Sequence, residues 1–270
     1  MNVAKLAARF FRHRTPTAIA TAAPSADPVA EMIPDDSVAA YVGGGTAELF
    51  RMVGEQNVSR MRSLAGLRPD ERILEVGCGI GRIAIALTQY VEGGSYVGFD
   101  IVPHGIDWCR QKITPRYPDF TFFVADIANG LYNPNGTTSA AEYRFPFDDR
   151  AFDFVFLTSV FTHMPRPEVE HYIAEIARVL DRGGRCYCTA FVISAEARRH
   201  LDAGSSGRKF SDTGNGYWVE DAQNPMGAVG YDEAILREMF RREGLEVTAF
   251  APDAWWTNPY AQDVLVLAKP

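Results

Sequence analysis

The chain has 270 residues, which is enough for one sizeable α/β domain and tight for two full domains. Hydrophobic residues make up 47% and charged residues 23% of it, as is typical of a globular protein. The formal net charge of −7 disfavours DNA or RNA as the main partner, because a negative surface repels phosphate backbones.

The N-terminal segment combines basic and apolar side chains, and its first acidic residue is Asp27. A membrane-surface helix, a transit peptide or a basic tail would each show this pattern, and we favour the tail. Residues 15–34 are rich in Ala, Pro and Thr, which is typical of a linker. The sequence therefore predicts that residues 1–34 are disordered and that the folded domain covers 35–270.

No stretch approaches the ~20 consecutive apolar residues of a transmembrane helix, so stable membrane association is not expected. The cysteines show neither a C-x-x-C pair nor the spacing of zinc ligands, and no metal site is predicted; they are Cys78, Cys109, Cys186 and Cys188. Reduced, buried thiols and a cytoplasmic location are the expectation.

Strands and helices alternate after residue 67, which predicts a parallel sheet with helices on both faces. The predicted strands cover residues 72–76, 96–100, 120–126, 152–157 and 185–192, with 245–250 and 263–268 as an antiparallel pair at one edge. The clearest helix follows the fourth strand and is predicted to end in a glycine cap at Gly183.

A glycine-rich segment, Gly77-Cys78-Gly79-Ile80-Gly81, follows the first strand and precedes a helix. Such a loop lets a ligand approach the backbone and leaves N–H groups of the helix free to bind it. The nicotinamide fingerprint G-x-G-x-x-G would place its third glycine at position 82, where Arg82 stands. The loop alone is a weak signal of function.

Carboxylates lie at or near the carboxyl ends of the first three predicted strands: Glu75, Asp100 and Asp126. Ligands of open α/β sheets bind over those strand ends. Asp100 suits hydrogen bonds to a ribose diol, Asp126 could accept from an exocyclic adenine amine, and Glu75 could orient an ammonium group. Three acids facing one ligand fit a molecule with a sulfonium and an ammonium better than one with a pyrophosphate.

At five successive positions the sequence resembles the motifs of class I S-adenosylmethionine (SAM)-dependent methyltransferases. The segments are ILEVGCGIGR (73–82), YVGFDI (96–101), VADI (124–127), FDFVFLTSVFTHM (152–164) and LDRGGR (180–185). Their order and spacing match from about residue 67 to residue 270. The resemblance implies a three-layer, doubly wound α/β fold whose seven-stranded sheet has the order 3-2-1-4-5-7-6, with the last strand antiparallel.

The resemblance also implies a SAM site and a role for each residue in it. The Gly77–Gly81 loop, with Gly77, Cys78, Gly79 and Gly81, would lie under the methionine part. Asp100 would take the ribose hydroxyls and Ile101 would lie against the adenine. Asp126 and Ile127 would meet the adenine edge and face, and Leu157 and Thr158 would line the methionine side.

An acceptor hydroxyl would need a base, and His163, just past the fourth strand, is the candidate. A histidine before a helix is more often a hydrogen-bonded structural residue, and we favour that reading. We expect the acceptor pocket to be formed by segments that lie outside the motifs. The first is 128–149, with Tyr132, Tyr143, Arg144 and Phe145, and the second is 194–230, a predicted lid, with Arg208, Tyr217 and Trp218. The residues Trp255, Trp256 and Tyr260 form the third group. Trp255 and Trp256 could instead pack against the sheet edge.

The sequence thus predicts methyl transfer from SAM to a small molecule, with an oxygen nucleophile such as a sugar hydroxyl as the acceptor. Two alternatives remain open: a SAM-binding protein without turnover that acts as a partner or scaffold, and an NAD-dependent oxidoreductase, which Arg82 argues against. The sequence gives no indication of the oligomeric state.

Overall fold

A computed structural model describes residues 29–39, 45–130 and 132–270 of the protein. The α-helices are α1 (Asp36–Ala39), α2 (Ala47–Ala65), α3 (Arg82–Leu87), α4 (Pro103–Lys112), α5 (Arg166–Val179), α6 (Ala195–Asp202) and α7 (Glu233–Arg242). Short 3-10 helices cover Ala30–Met32 and Phe161–His163. Among the described residues, no helix combines the length and apolar character needed to cross a membrane.

The main strands are β1 (Arg72–Val76), β2 (Ser95–Asp100), β3 (Phe120–Val124), β6 (Phe152–Leu157), β7 (Leu180–Ile193), β11 (Glu246–Ala251) and β12 (Asp263–Ala268). Shorter strands are β4 (Ile127–Ala128), β5 (Thr138–Ser139), β8 (Ser211–Asp212), β9 (Tyr217–Val219) and β10 (Val229–Asp232). The central sheet runs β3-β2-β1-β6-β7 in parallel, and β12 then pairs antiparallel with both β7 and β11. Among the main strands this is the predicted order 3-2-1-4-5-7-6 with the last strand antiparallel, so the fold prediction is confirmed.

Side chains of β1 alternate between two hydrophobic layers, because successive residues of a strand point to opposite faces. Leu74 belongs to the cluster that contains Val169 and Ile173 of α5. Ile73 belongs to the other cluster, which contains Phe50 of α2. The sheet is therefore covered on both faces, which is the three-layer architecture that buried parallel strands require.

The ordered domain begins earlier than the predicted boundary at residue 35. Val29 and Met32 are buried in the same hydrophobic cluster as α2, and Glu31 forms an ion pair with Arg116. The prediction of disorder is therefore wrong for the described residues 29–34, because two apolar side chains anchor a segment of linker-like composition. Residues 1–28 lie outside the described residues.

The predicted lid, residues 194–230, contains regular structure: α6, β8, β9 and the first residues of β10. β10 pairs in parallel with the last three residues of β7, and β9 and β8 continue this small sheet. Its apolar side chains form a third cluster with Trp255 and Trp256. Both tryptophans are buried there, so they pack against the sheet edge and do not face an acceptor, whereas Tyr260 is 92% exposed.

The helix before β7 ends without the predicted glycine cap. α5 ends at Val179 and the next residue, Leu180, already has extended backbone angles and begins β7. Gly183 has a positive φ of 74° and donates its N–H to the carbonyl of Lys269 at 2.8 Å. The register between β6 and β7 shifts at this point, so the glycines form an irregularity inside the strand.

Candidate functional site

The glycine loop between β1 and α3 is tied to the neighbouring strand β2. The N–H groups of Gly77 and Cys78 both donate to the carbonyl of Phe99, at 2.8 and 3.0 Å. Gly77 has a φ of 77°, and a Cβ atom there would lie 2.6 Å from Cγ2 of Val160. Only glycine satisfies both constraints, so the loop keeps its backbone close to the end of β2.

Asp100, the last residue of β2, fixes the glycine loop from the other side. Its carboxylate oxygens accept from the N–H of Gly79 at 2.8 Å and from the N–H of Val102 at 3.0 Å. Burial raises the pKa of Asp100, and these two backbone hydrogen bonds oppose that shift. A carboxylate offers about four acceptor positions, so Asp100 can hold the loop and still accept from a diol.

Glu75 is buried in β1 beneath the loop. Burial raises its pKa to about 8, while the hydrogen bond from the Tyr96 hydroxyl and the positive charge of Arg82 oppose the shift. Gly98 stands opposite Glu75 in the sheet, and a Cβ atom at Gly98 would lie 2.7 Å from the Tyr96 hydroxyl oxygen. With a pKa of about 8, Glu75 is therefore mostly protonated at neutral pH in the ligand-free protein.

A cavity of about 440 Å³ opens over the carboxyl ends of β1, β2 and β6. Most of the predicted site residues line it: Glu75, Gly77, Cys78, Gly79, Asp100, Ile101, Ile127, Thr158 and His163. This is the position at which open α/β sheets bind ligands. The structure thus brings the glycine loop, two of the three predicted carboxylates and the histidine to one cavity.

Three of the predicted residues do not line this cavity. The exposed carboxylate of Asp126 accepts from the N–H and the hydroxyl of Thr137, at 3.0 and 2.5 Å, which lowers its pKa. Leu157 is fully buried in the core. A Cβ atom at Gly81 would lie 2.7 Å from Cδ1 of Ile113, so this glycine permits close packing of α3.

His163 lies in the 3-10 helix that follows β6, and its ring contacts two other segments of the chain. Its Nδ1 is 2.9 Å from the carbonyl oxygen of Met226, and its ring packs edge to face against Tyr132 with centroids 6.0 Å apart. Burial lowers the pKa of His163. The imidazole is therefore neutral at pH 7, which is the form that a general base requires.

Sequence reasoning missed several residues that line the cavity. Glu168 and Tyr172 lie one turn apart on α5 and both line the cavity. Burial raises the pKa of Glu168 to about 6. Their i, i+4 spacing on the helix that follows β6 was the available signal. Ser159 and Gln262 also line the cavity, and Ser159 has a positive φ of 58°, which the sequence did not reveal.

Several other acceptor candidates serve the packing of the domain. Tyr143 and Phe145 pack around Phe99, and Tyr217 packs against Tyr231. Arg208 forms an ion pair with Glu220 and lies over the ring of Phe191. Tyr132 is the predicted acceptor aromatic that reaches the cavity. No group of three or more His, Cys, Asp or Glu side chains within the described ranges is arranged to hold a metal ion.

Comparisons with known proteins agree with this architecture. The methyltransferase domain family matches residues 73–184. The phthiotriol/phenolphthiotriol dimycocerosates methyltransferase of Mycobacterium leprae is 33% identical over 117 residues, which cover 42% of this chain and 35% of that protein. The chain therefore spans about a third of the length of the curated relatives it matches.

Two solved structures share the fold over most of its length. The 1,6-didemethyltoxoflavin-N1-methyltransferase of Burkholderia thailandensis is 17% identical with a TM-score of 0.54, covering 92% of this chain and 93% of that one. The magnesium protoporphyrin IX methyltransferase of Synechocystis PCC 6803, solved with bound S-adenosylhomocysteine (SAH), is 19% identical with a TM-score of 0.53, covering 82% and 86%. The resemblance predicted from the motifs is confirmed: residues 73–184 match the methyltransferase domain family, in a chain that has the class I SAM-dependent methyltransferase fold.

Proposed function

We propose that this protein transfers a methyl group from SAM to a hydroxyl group of a small-molecule acceptor. The observation that carries the proposal is a single cavity that is lined by two chemically different sets of groups. Glu75, the glycine loop and Asp100 form the first set, and His163, Glu168 and Tyr172 form the second. The cavity volume of about 440 Å³ falls within the roughly 300–1,000 Å³ of small-ligand pockets.

The first set of residues fits SAM group by group. A buried carboxyl with a pKa of about 8, such as Glu75, gains most from a cationic partner, and the ammonium of SAM is one. Asp100 retains acceptor positions for the ribose diol. Ile101 and Ile127 supply apolar surface for the adenine, and Thr158 lines the methionine side. Asp126, held by Thr137, is left out of this assignment.

In the second set, His163 is the proposed general base. SAM supplies the electrophilic methyl group when it is bound. The hydrogen bond from Nδ1 to Met226 leaves the lone pair on Nε2, so Nε2 would accept the proton of the acceptor hydroxyl. The protein's remaining task is to align the two reactants and exclude water, and alignment contributes several kcal/mol.

The acceptor class is inferred from the cavity and from the relatives. The mycobacterial relatives are named for phthiotriol and phenolphthiotriol dimycocerosates, and the Burkholderia enzyme was solved with a didemethyltoxoflavin. Besides His163, the cavity wall includes the rings of Tyr132 and Tyr172 and the carboxyl of Glu168. Such a wall suits a hydroxylated organic molecule with some apolar surface.

Calorimetric titration with SAM, SAH and NAD tests the cofactor half of the proposal. We expect saturable binding of SAM and SAH and none of NAD; binding of NAD alone would reject the proposal. Methyl transfer from labelled SAM to a panel of hydroxylated small molecules tests the other half. SAM binding without transfer to any member would favour a binding protein without turnover.

A further inference from the structure

Two segments that are far apart in the sequence meet beside His163. The first comprises residues 128–130 with Tyr132, and the second, residues 220–228, connects β9 to β10. They touch at Met226: its Sδ is 3.8 Å from Nδ2 of Asn129, and a Cβ atom at Gly130 would lie 3.1 Å from its Cε. The side chain of Met226 thus packs on the first segment.

The main chain of Met226 contacts the histidine itself. A carbonyl oxygen only accepts hydrogen bonds, so Nδ1 of His163, 2.9 Å away, must carry the proton. Because burial lowers the pKa of this histidine, the ring is neutral and its second nitrogen, Nε2, has no proton. The hydrogen bond to the Met226 carbonyl therefore leaves Nε2 as the basic ring nitrogen.

We propose that Met226 is a positioning residue for His163, and this inference rests on the proposed role of His163 as a base. The carbonyl of Met226 holds the imidazole in the Nδ1–H tautomer, and its side chain keeps that carbonyl in place by packing on Asn129 and Gly130. When the two segments separate, both tautomers become accessible. The base is correctly protonated only while the two segments are together.

The tautomer can be measured without knowing the acceptor. In the full-length protein labelled with ¹⁵N-histidine, the shifts of Nδ1 and Nε2 distinguish a protonated from an unprotonated nitrogen, and His163→Gln assigns the His163 signals. For the wild type at pH 7.5 we expect a protonated Nδ1 and an unprotonated Nε2. Met226→Ala should move both shifts toward the average of the two tautomers.

Matched variants separate positioning from a general loss of structure. Met226→Leu keeps an apolar side chain of similar size and should restore the wild-type shifts. Gln223→Ala changes an exposed residue of the same segment and should leave them unaltered. Unchanged signals of the other histidines show that the domain remains folded. A wild-type His163 protonated on Nε2, or wild-type shifts in Met226→Ala, would overturn the proposal.

Failure of this inference can be told apart from failure of the proposed function. SAM is titrated into the same labelled samples by calorimetry. SAM binding with an unchanged tautomer in Met226→Ala rejects the positioning role and leaves the function standing. Absence of SAM binding rejects the function, while the ¹⁵N shifts still report whether Met226 selects the tautomer.

Discussion

At the scale of single residues, the three carboxyl groups at or near the ends of the first strands lie in unlike surroundings. Glu75 is buried under the glycine loop, Asp100 is engaged by two backbone N–H groups, and Asp126 is exposed beside Thr137. The sequence indicated all three as strand-end acids. The sequence could not distinguish the surroundings of the three acids. The partner of Asp126 is Thr137, eleven residues away, and the path of the chain between them depends on tertiary packing.

Glu75→Gln should change the pH dependence of stability. The carboxyl of Glu75 has a reference pKa of 4.5 and a pKa of about 8 in the fold, so its contribution is fully present below 4.5 and is lost as the pH rises through 8. In the ligand-free protein the free energy of unfolding should therefore fall less steeply between pH 5 and 8 for the variant. Urea unfolding at several pH values measures this, with the exposed Glu92→Gln as control.

The same carboxyl predicts that SAM binding releases a proton at neutral pH. A bound ammonium beside Glu75 favours the ionised form and lowers its pKa below that of the ligand-free protein. Calorimetry in buffers of different ionisation enthalpy counts the released protons. Glu75→Gln should bind SAM more weakly and release none through this group; an unchanged proton count in this variant would show that the ammonium lies elsewhere.

Asp100→Ala should weaken both SAM binding and the fold. It removes the acceptor for the ribose diol and leaves the N–H groups of Gly79 and Val102 without a partner, at about 1–3 kcal/mol for each group that stays buried. Asp100→Asn retains an acceptor oxygen and should lose SAM affinity with a smaller loss of stability. Calorimetry and urea unfolding measure the two effects, and Asp119→Ala, at an exposed position, is the control.

His163→Ala should lower turnover by roughly 10²–10⁴-fold while SAM affinity stays near wild type, if Nε2 is the base. Steady-state kinetics with an identified acceptor measure this, and His104→Ala, on the exposed side of α4, is the control. Retention of full activity would reject the role of His163 as a base. A joint loss of stability, SAM affinity and turnover would assign it a structural role.

At the scale of elements, the main strands and their order follow from patterns that the sequence carries locally. Short, mostly apolar segments of five or six residues predicted β1, β2 and β6, since strands buried on both faces are rich in apolar residues. The end of α5 and the small sheet of β8, β9 and β10 escaped prediction. Gly183 resembles a helix cap locally, and its place inside β7 depends on a hydrogen bond to Lys269, 86 residues away in the chain.

The 3-10 helix at Ala30–Met32 should contribute to stability although its surroundings in the sequence resemble a linker. Met32 is fully buried, so Met32→Ala should lower the free energy of unfolding by about 2–5 kcal/mol. Met52→Ala is the matched control, since Met52 is 44% exposed on α2 and its truncation should cost little. Equal stability of the two variants would show that the segment before residue 35 is not part of the domain.

At the scale of the whole molecule, the residues that line the cavity come from different parts of the chain. Glu75, Asp100 and the glycine loop lie at the strand ends of the parallel sheet, where the motifs predicted a binding site. Tyr132 and residues of α5 also line the cavity, and the main chain of Met226 contacts His163. No local pattern links these segments, so their meeting could be learned only from the structure.

SAM should stabilise the entire domain against unfolding, because its site joins β1, β2 and β6. A ligand at about 100 times its dissociation constant adds about 2.7 kcal/mol to the free energy of unfolding. Thermal unfolding should therefore shift upward with SAM and SAH and remain unchanged with NAD. A shift with NAD alone would contradict the cofactor assignment.

The length of β7 has a consequence for how this molecule can diversify. Its residues Arg185–Ala190 pair with β12, and its last three residues extend further and pair with β10. The small sheet of β8, β9 and β10, with its own hydrophobic cluster, is thus attached beyond the part of β7 that pairs with β12. The connection between β9 and β10 reaches His163 through the carbonyl of Met226, so changes in that appendage can alter the surroundings of His163 while the register of the central strands stays intact. Those surroundings can therefore diversify through evolution, or be altered by an engineer, without redesign of the central sheet.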